Sequence, residues 1–350
     1  MTNTEQKSPA QLREERAASL RQKWNQLSLK ITLGHLRDEI EDRAGEIEAL
    51  PAQLAGFANR GYRYGHELQA QAGALRKAWP VRRRDALATL NKQARALAPL
   101  GQEVQKIAAL PRLSDTMLNQ LDQKLAHLQT QTDAAEREVR GTFDALGQQL
   151  YKLQRELASV KFMLDSLDTA CFDLYPDESG VAACEAEWTN HPDEIKGLLF
   201  LTDGRVIFEQ REKKAKKKVL FVTTQSELVQ EKLWEAPVGS IAEVVAEDRK
   251  KFLSSKEMLH LRLREYSGGL YSDPEMRLEG ATNEEWAGLI KRVQRGELGP
   301  APAATPAGAA AATPTRDIPT RCPACGGQLP ALVKGMRELV CEYCGTVTRL

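Results

Sequence analysis

The stretch that decides the fold is GLLFLTDGRVIF, residues 197–208. Two short runs rich in β-branched and aromatic residues flank Asp203–Gly204, a dipeptide that turns a chain back on itself between strands. The stretch therefore reads as a β-hairpin. Working outward, VAACEAEWT (181–189) precedes it, and KVLFVTT (218–224), IAEVVAE (241–247), EMLHLRLR (257–264) and EMRLEG (275–280) follow. With the two arms of the hairpin these make seven strand-like runs. ATNEEWAGLIKRVQRG (281–296) then changes period. Thr282 and Glu285 fit a capping box, and Trp286, Leu289, Ile290 and Val293 share one helical face.

Short strands closed by one amphipathic helix, over residues 175–296, resemble the pleckstrin-homology superfold and its GRAM-like branch. The hairpin, the Trp234–Pro237–Ile241–Val244 run and the helix bearing Trp286 carry the resemblance. It implies a small β-barrel with one open end plugged by the C-terminal helix. It also implies that basic loops at one rim contact acidic lipids. REKKAKKK (211–218) supplies such a run: Arg211, Lys213, Lys214, Lys216, Lys217 and Lys218 against Glu212 alone. It falls between predicted strands, so its charges should project from the rim, where an anionic bilayer attracts each by about 1 kcal/mol. The same run can equally keep an edge strand soluble. The turn joining the first two strands, NHPDE (190–194), is acidic. General attraction to an anionic surface is thus expected in place of a specific headgroup pocket.

Upstream, residues 11–170 read as a helical coiled-coil region after a disordered stretch at 1–10. Leu118, Leu121, Leu125, Leu128, Thr132, Ala135, Val139, Phe143, Leu146, Leu150, Leu153, Leu157, Val160, Leu164 and Leu167 step by threes and fours. Successive four-residue steps around Val139 shift the phase as a stutter would. Read as one helix begun by Ser114, this is on the order of 75 Å long. Pro51, Pro80, Pro99 and Pro111 should punctuate the helices. The pattern suits antiparallel helices folded on one another or a self-associating coiled coil. RKAWPVRRR (76–84), with Trp79 at its centre and Arg82, Arg83 and Arg84 at its end, is a candidate contact for a membrane surface or nucleic acid. Such clusters are more often the charged part of a helix.

Downstream, LGPAPAATPAGAAAATPTRDIP (298–319) lacks core-forming residues and reads as a flexible linker to a tethered module. That module, 320–350, holds four of the six cysteines. Cys322 and Cys325, then Cys341 and Cys344, form two C-x2-C pairs. Each spacing lets one turn bring two thiolates to one cation, and Gly326 and Gly345 stand where the turns need positive φ. The segment resembles the zinc-ribbon family, which implies one structural Zn2+ held by these four residues. Iron and a redox dithiol are the alternatives. Four thiolates would leave no open position for catalysis. Cys171 and Cys184 have no partner motif and read as small buried apolar groups. His35, His66, His127, His191 and His260 are scattered without ligand spacing.

The 350 residues carry a net charge of +1, so no global field selects nucleic acid. The N-terminus lacks the apolar run of a signal peptide, and nothing approaches the roughly 18–20 apolar residues of a membrane span. No phosphate loop, nucleophile elbow or His–carboxylate grouping is present. The expectation is a multidomain α+β chain: N-terminal helical coiled coil or bundle, central PH-like barrel capped by a helix, C-terminal zinc ribbon. It should act as a non-enzymatic cytoplasmic scaffold or adaptor, peripheral at the inner face of an anionic membrane. Protein partners would dock on the coiled coil and ribbon, and the coiled coil could self-associate. The alternatives are a nucleic-acid-associated factor, in which the ribbon and the RRR cluster touch DNA or RNA, and a purely structural oligomer.

Overall fold

The computed structural model describes residues 8–219, 222–251, 254–264, 273–298 and 320–349. Side chains at 213–227 and 249–257 fall outside that description, as does the expected linker from residue 299 onward. Two compact units form: residues 1–53 with 69–154, and residues 54–68 with 155–350.

The first unit is helical, built from α1 (Pro9–Lys30), α2 (Gly34–Asn59), α3 (His66–Ala108), α4 (Asp115–Gly141) and α5 (Asp144–Asp168), with α2, α3 and α5 running on into the second unit. Ser8 caps α1 reciprocally with Gln11, and Pro9 takes the first helical position, where its missing N–H costs nothing. Ser114 caps α4 by accepting the amide of Met117 at 3.3 Å, as its position before Asp115 predicts.

The stripe of α4 is buried: Leu118, Leu121, Leu128, Thr132 and Val139 are each fully buried, and α1 packs on α4. Thr132, the polar step, donates its hydroxyl to Leu128 O at 2.8 Å. The single long helix is not formed, however. At the stutter the chain tightens for one turn, with the Thr142 and Phe143 amides bonding three residues back to Val139 O and Arg140 O. That turn rotates Phe143 inward to 1% exposure, and α5 starts anew at Asp144. Pro111 separates α3 from α4 as expected, but the other three prolines behave differently. Pro51 lies inside α2, and Pro80 and Pro99 lie inside α3. Buried neighbours on each side (Leu50, Leu54, Trp79, Leu97) hold these helices together across the missing hydrogen bonds, because packing outweighs local propensity.

In the second unit, β1 (Gly180–Trp188), β2 (Ile195–Thr202), β3 (Arg205–Val219), β4 (Val222–Pro237), β5 (Ile241–Lys251), β6 (Ser254–Leu263) and β7 (Glu275–Glu279) form one antiparallel sheet in the order β4-β3-β2-β1-β7-β6-β5. The sheet is large and open. β4 and β5 are its two edges, so the expected closed barrel does not form among the described residues. β3 meets β2 only as far as Gln210, and beyond it β3 and β4 continue as a two-stranded ribbon.

The concave side is filled by Trp188, Phe208, Trp234, Leu199, Leu201, Leu261 and Met276, with Phe208 and Trp234 stacked at 6.0 Å. Against it α6 (Asn283–Arg295) packs Trp286, Ile290 and Val293, the apolar helical face that the sequence marks out. Thr282 caps α6, and Gly296 ends it at φ 70°. The opposite side carries Leu198, Phe200 and Ile207 beneath Leu167, Ala170 and Phe172. β2 is therefore buried on both faces, which is why 198–201 is an unbroken apolar run with no alternation.

The Asp203–Gly204 hairpin forms between β2 and β3 without positive φ at either residue. Side chains shape it. The Thr202 hydroxyl accepts from the amides of Gly204 and Arg205, while Asp203 accepts from the Ser179 amide at 3.0 Å and the Tyr64 hydroxyl at 2.6 Å.

Candidate metal centre

Two short strands, β8 (Glu338–Val340) and β9 (Val347–Arg349), pair at the C-terminus, and Arg321 bridges Gln328. The first knuckle is closed by the Gly326 amide on Cys322 O and the Cys322 amide on Gly327 O, both at 2.8 Å. The second repeats it, with the Gly345 amide on Cys341 O at 2.8 Å and the Cys341 amide on Thr346 O at 2.9 Å. Gly326 and Gly345 sit at φ 73° and 71°, the left-handed region their position after each pair predicts.

These turns bring Cys322, Cys325, Cys341 and Cys344 together, with all four sulfurs within 4.8 Å of one another. Sγ of Cys322 lies 3.6 Å from that of Cys344, and Sγ of Cys325 lies 3.5 Å from that of Cys341. A tetrahedral cation with bonds of about 2.3 Å to thiolate would space its sulfurs by about 3.8 Å, so the set fits a metal ion. The backbone amides of Cys325 and Ala324 hold the Cys322 thiol below its ordinary value, whereas Cys325, despite the Gly327 amide, is pushed up to about 12 by its hydrogen bonds with Cys344 and Cys341. Hydrogen bonds from the Thr346 side chain and amide bring Cys344 down to about 6. Cys322 and Cys341 are buried beside Leu329 and Leu339, and Met336 packs on this group. A core this small would draw most of its folding free energy from a bound metal ion.

The segment is not a freely tethered module. Its loop 333–337 touches the sheet at backbone level. Lys334 O accepts the Gly239 amide at 2.9 Å, and Lys334 Nζ donates to Val293 O at the end of α6. Arg337 pairs with Asp177 at 2.6 Å and lies over the Tyr175 ring at 5.1 Å.

The basic run occupies a different place from the one the pattern suggests. Residues 211–218 belong to β3 itself, in its overhang paired with β4, and form no loop. Arg211 is tied down, donating to Thr169 O at 3.0 Å and pairing with Glu209 at 2.7 Å. Side chains of Lys213, Lys214, Lys216, Lys217 and Lys218 lie outside the described residues. In the first unit Trp79 is buried at 4% exposure and Arg83 is bonded to both Glu41 oxygens at 2.8 Å, while Arg76, Lys77, Arg82 and Arg84 are exposed. Cys184 is buried as expected, but Cys171 is exposed, its amide donating to Glu209 at 2.9 Å.

Sequence reading missed a buried ion network. Arg205, at the first position of β3, bonds Glu178 through two nitrogens at 2.9 Å, Glu235 at 2.5 Å and Asp173 O at 2.8 Å. Its guanidinium stacks 4.2 Å from the Tyr175 ring. His260 also has company, with Glu247 and Glu275 at 3.2 and 3.3 Å from its two ring nitrogens. Among the described residues no helix is long and apolar enough to cross a membrane.

No protein-family model matches the chain, and no curated protein matches it. Among solved structures it is similar to the Vps36 N-terminal PH domain, at 15% identity over 36% of this chain and 86% of that one, TM-score 0.23. It is similar to the hSac2 domain from human phosphoinositide phosphatase Sac2, at 12% identity over 44% of this chain and 84% of that one, TM-score 0.23. The PDZ-RhoGEF DH/PH domains, in complex with GTP-γ-S activated RhoA, match at 12% identity over 81% of this chain and 92% of that one, TM-score 0.21. Likenesses this loose carry no argument. What stands on the residues is an α+β chain with a helical N-terminal region, one large antiparallel sheet capped by a helix, and a four-cysteine cluster able to hold a metal ion.

Proposed function

We propose that the chain is a non-enzymatic cytoplasmic adaptor, with one structural Zn2+ in its C-terminal ribbon and a PH-like sheet that meets anionic membrane at its inner face. Protein partners complete the assembly. Four thiolates saturate a tetrahedral ion and leave no position for substrate, so the ribbon serves folding and docking. The observation that carries the membrane reading is the β3–β4 overhang. Past Gln210, the last residue paired with β2, the backbone from Lys213 to Lys218 runs in a two-stranded ribbon, while Arg211 is held by Glu209 and Thr169. Such a concentration of lysines is drawn to an anionic surface additively, and the attraction is screened by salt.

Flotation with liposomes of graded anionic content tests this. The intact chain should float at low salt in proportion to anionic lipid. A variant with Lys213, Lys214, Lys216, Lys217 and Lys218 all changed to Ala should remain at the bottom of the gradient. Absence of flotation for both would end the membrane reading and leave the sheet as a protein-binding module. The nucleic-acid alternative keeps Arg82 and Arg84 exposed for contact, while Trp79 and Arg83 are engaged within the bundle.

A further inference from the structure

We propose that metal occupancy at the four cysteines controls whether the ribbon stays latched to the sheet through the loop 333–337. The latch is a backbone contact fitted too closely for side chains. A Cβ at Gly335 would stand 1.6 Å from Gly204 O, and a Cβ at Gly239 would stand 2.5 Å from the Lys334 amide nitrogen. Gly335 itself takes φ 88°. Around this contact Lys334 Nζ caps the α6 carbonyl of Val293, and Arg337 holds Asp177.

The two halves of the latch differ in what supports them. The sheet half is built into the large core. The Val238 amide bonds Gly204 O at 2.9 Å, the Ser240 hydroxyl bonds Pro237 O at 2.7 Å, and Gln294 bonds Val238 O and Ile241 O at 2.9 Å each. The ribbon half has no such frame. Its loop runs between the two knuckles, is closed by the Met336 amide on Val333 O at 3.1 Å, and leans through Met336 on the few apolar residues beside Cys322 and Cys341. A core of that size does not hold a shape without its cation. Losing the metal therefore dissolves one half of the latch and leaves the other preformed. Release uncovers the Gly204–Gly239 surface and the α6 C-terminus for another ligand. The chain thereby acquires a closed, metal-loaded state and an open, metal-free one.

The inference rests on the metal reading of the cysteines, and the experiment separates the two. The full chain is loaded with Zn2+, and its metal content is measured. Hydrogen exchange is then followed at the Gly239 amide before and after chelation. Chelation should speed exchange there by about ten-fold or more, the change that ~1.4 kcal/mol of lost docking produces, while amides of β2 keep their protection. The variant Gly239→Ala with Arg337→Glu leaves every cysteine in place. It should keep its metal and let the β8–β9 amides tumble independently of the sheet. Failure to bind Zn2+ overturns both readings. Bound Zn2+ with Gly239 exchange indifferent to chelation, or with the variant's ribbon still tumbling with the sheet, overturns the latch alone.

Discussion

Arg205 sits at 5% side-chain exposure against Glu178 at 1%, a cation and an anion both removed from water. Each is costly to bury alone, and the geometry offsets that cost by giving the guanidinium two carboxylates, one carbonyl and an aromatic face. Removing one partner strands the others. Arg205→Met should lower unfolding free energy by about 3–5 kcal/mol, the range found when a buried pair is broken, as read from urea denaturation. Arg205→Lys should lose most of the same amount, since an ammonium cannot form the planar fork that spans Glu178. A loss under about 1 kcal/mol, as at an exposed pair, would show that the network is not held dry.

At the level of elements, the C-terminal segment is by our proposal the piece whose folding depends on chelation. Co2+ added to the metal-free chain should produce the intense visible bands of tetrahedral cobalt–thiolate, and Zn2+ should displace them. Cys341→Ser should weaken those bands and unfold β8 and β9, without altering the melting of the sheet. Intact cobalt bands in that variant would exclude Cys341 from the ligands. This element was legible in the sequence because its determinants are local: Cys322 and Cys325, and the glycine that follows them, lie within one turn. Thr282 was legible as the start of α6 for the same reason. The continuity of α2 through Pro51 was not, since it depends on residues such as Leu50 and Leu54 finding burial elsewhere in the bundle. Nor was the role of Arg205, whose partner Glu178 stands 27 residues earlier and enters only once the hairpin has folded. The open sheet was missed because strand runs reveal pairing order poorly, and the overhang of β3 follows from the shorter reach of β2.

For the whole molecule, the seam of α4 bears on assembly. Leu118, Leu121 and Leu128 have no exposed surface left, and α1 of the same chain packs on that helix. The helical region thus satisfies its own stripe, and self-association through it would require opening the bundle. Sedimentation equilibrium at micromolar concentration should return the single-chain mass. A concentration-dependent dimer that disappears when Leu121 is changed to Asp would instead assign the seam to a second copy.

The partition of the chain has a practical side as well. Its two units exchange backbone at three places, after Gln53, Leu68 and Gln154. A protease that nicks any one of them leaves the units covalently joined through the other two. A fragment begun at Arg155 would forfeit Tyr64, the hydroxyl donor to Asp203, and Arg60, which pairs with Asp165 and Asp168. Cutting this protein into independently expressed pieces therefore calls for grafting residues 54–68 back onto the C-terminal fragment.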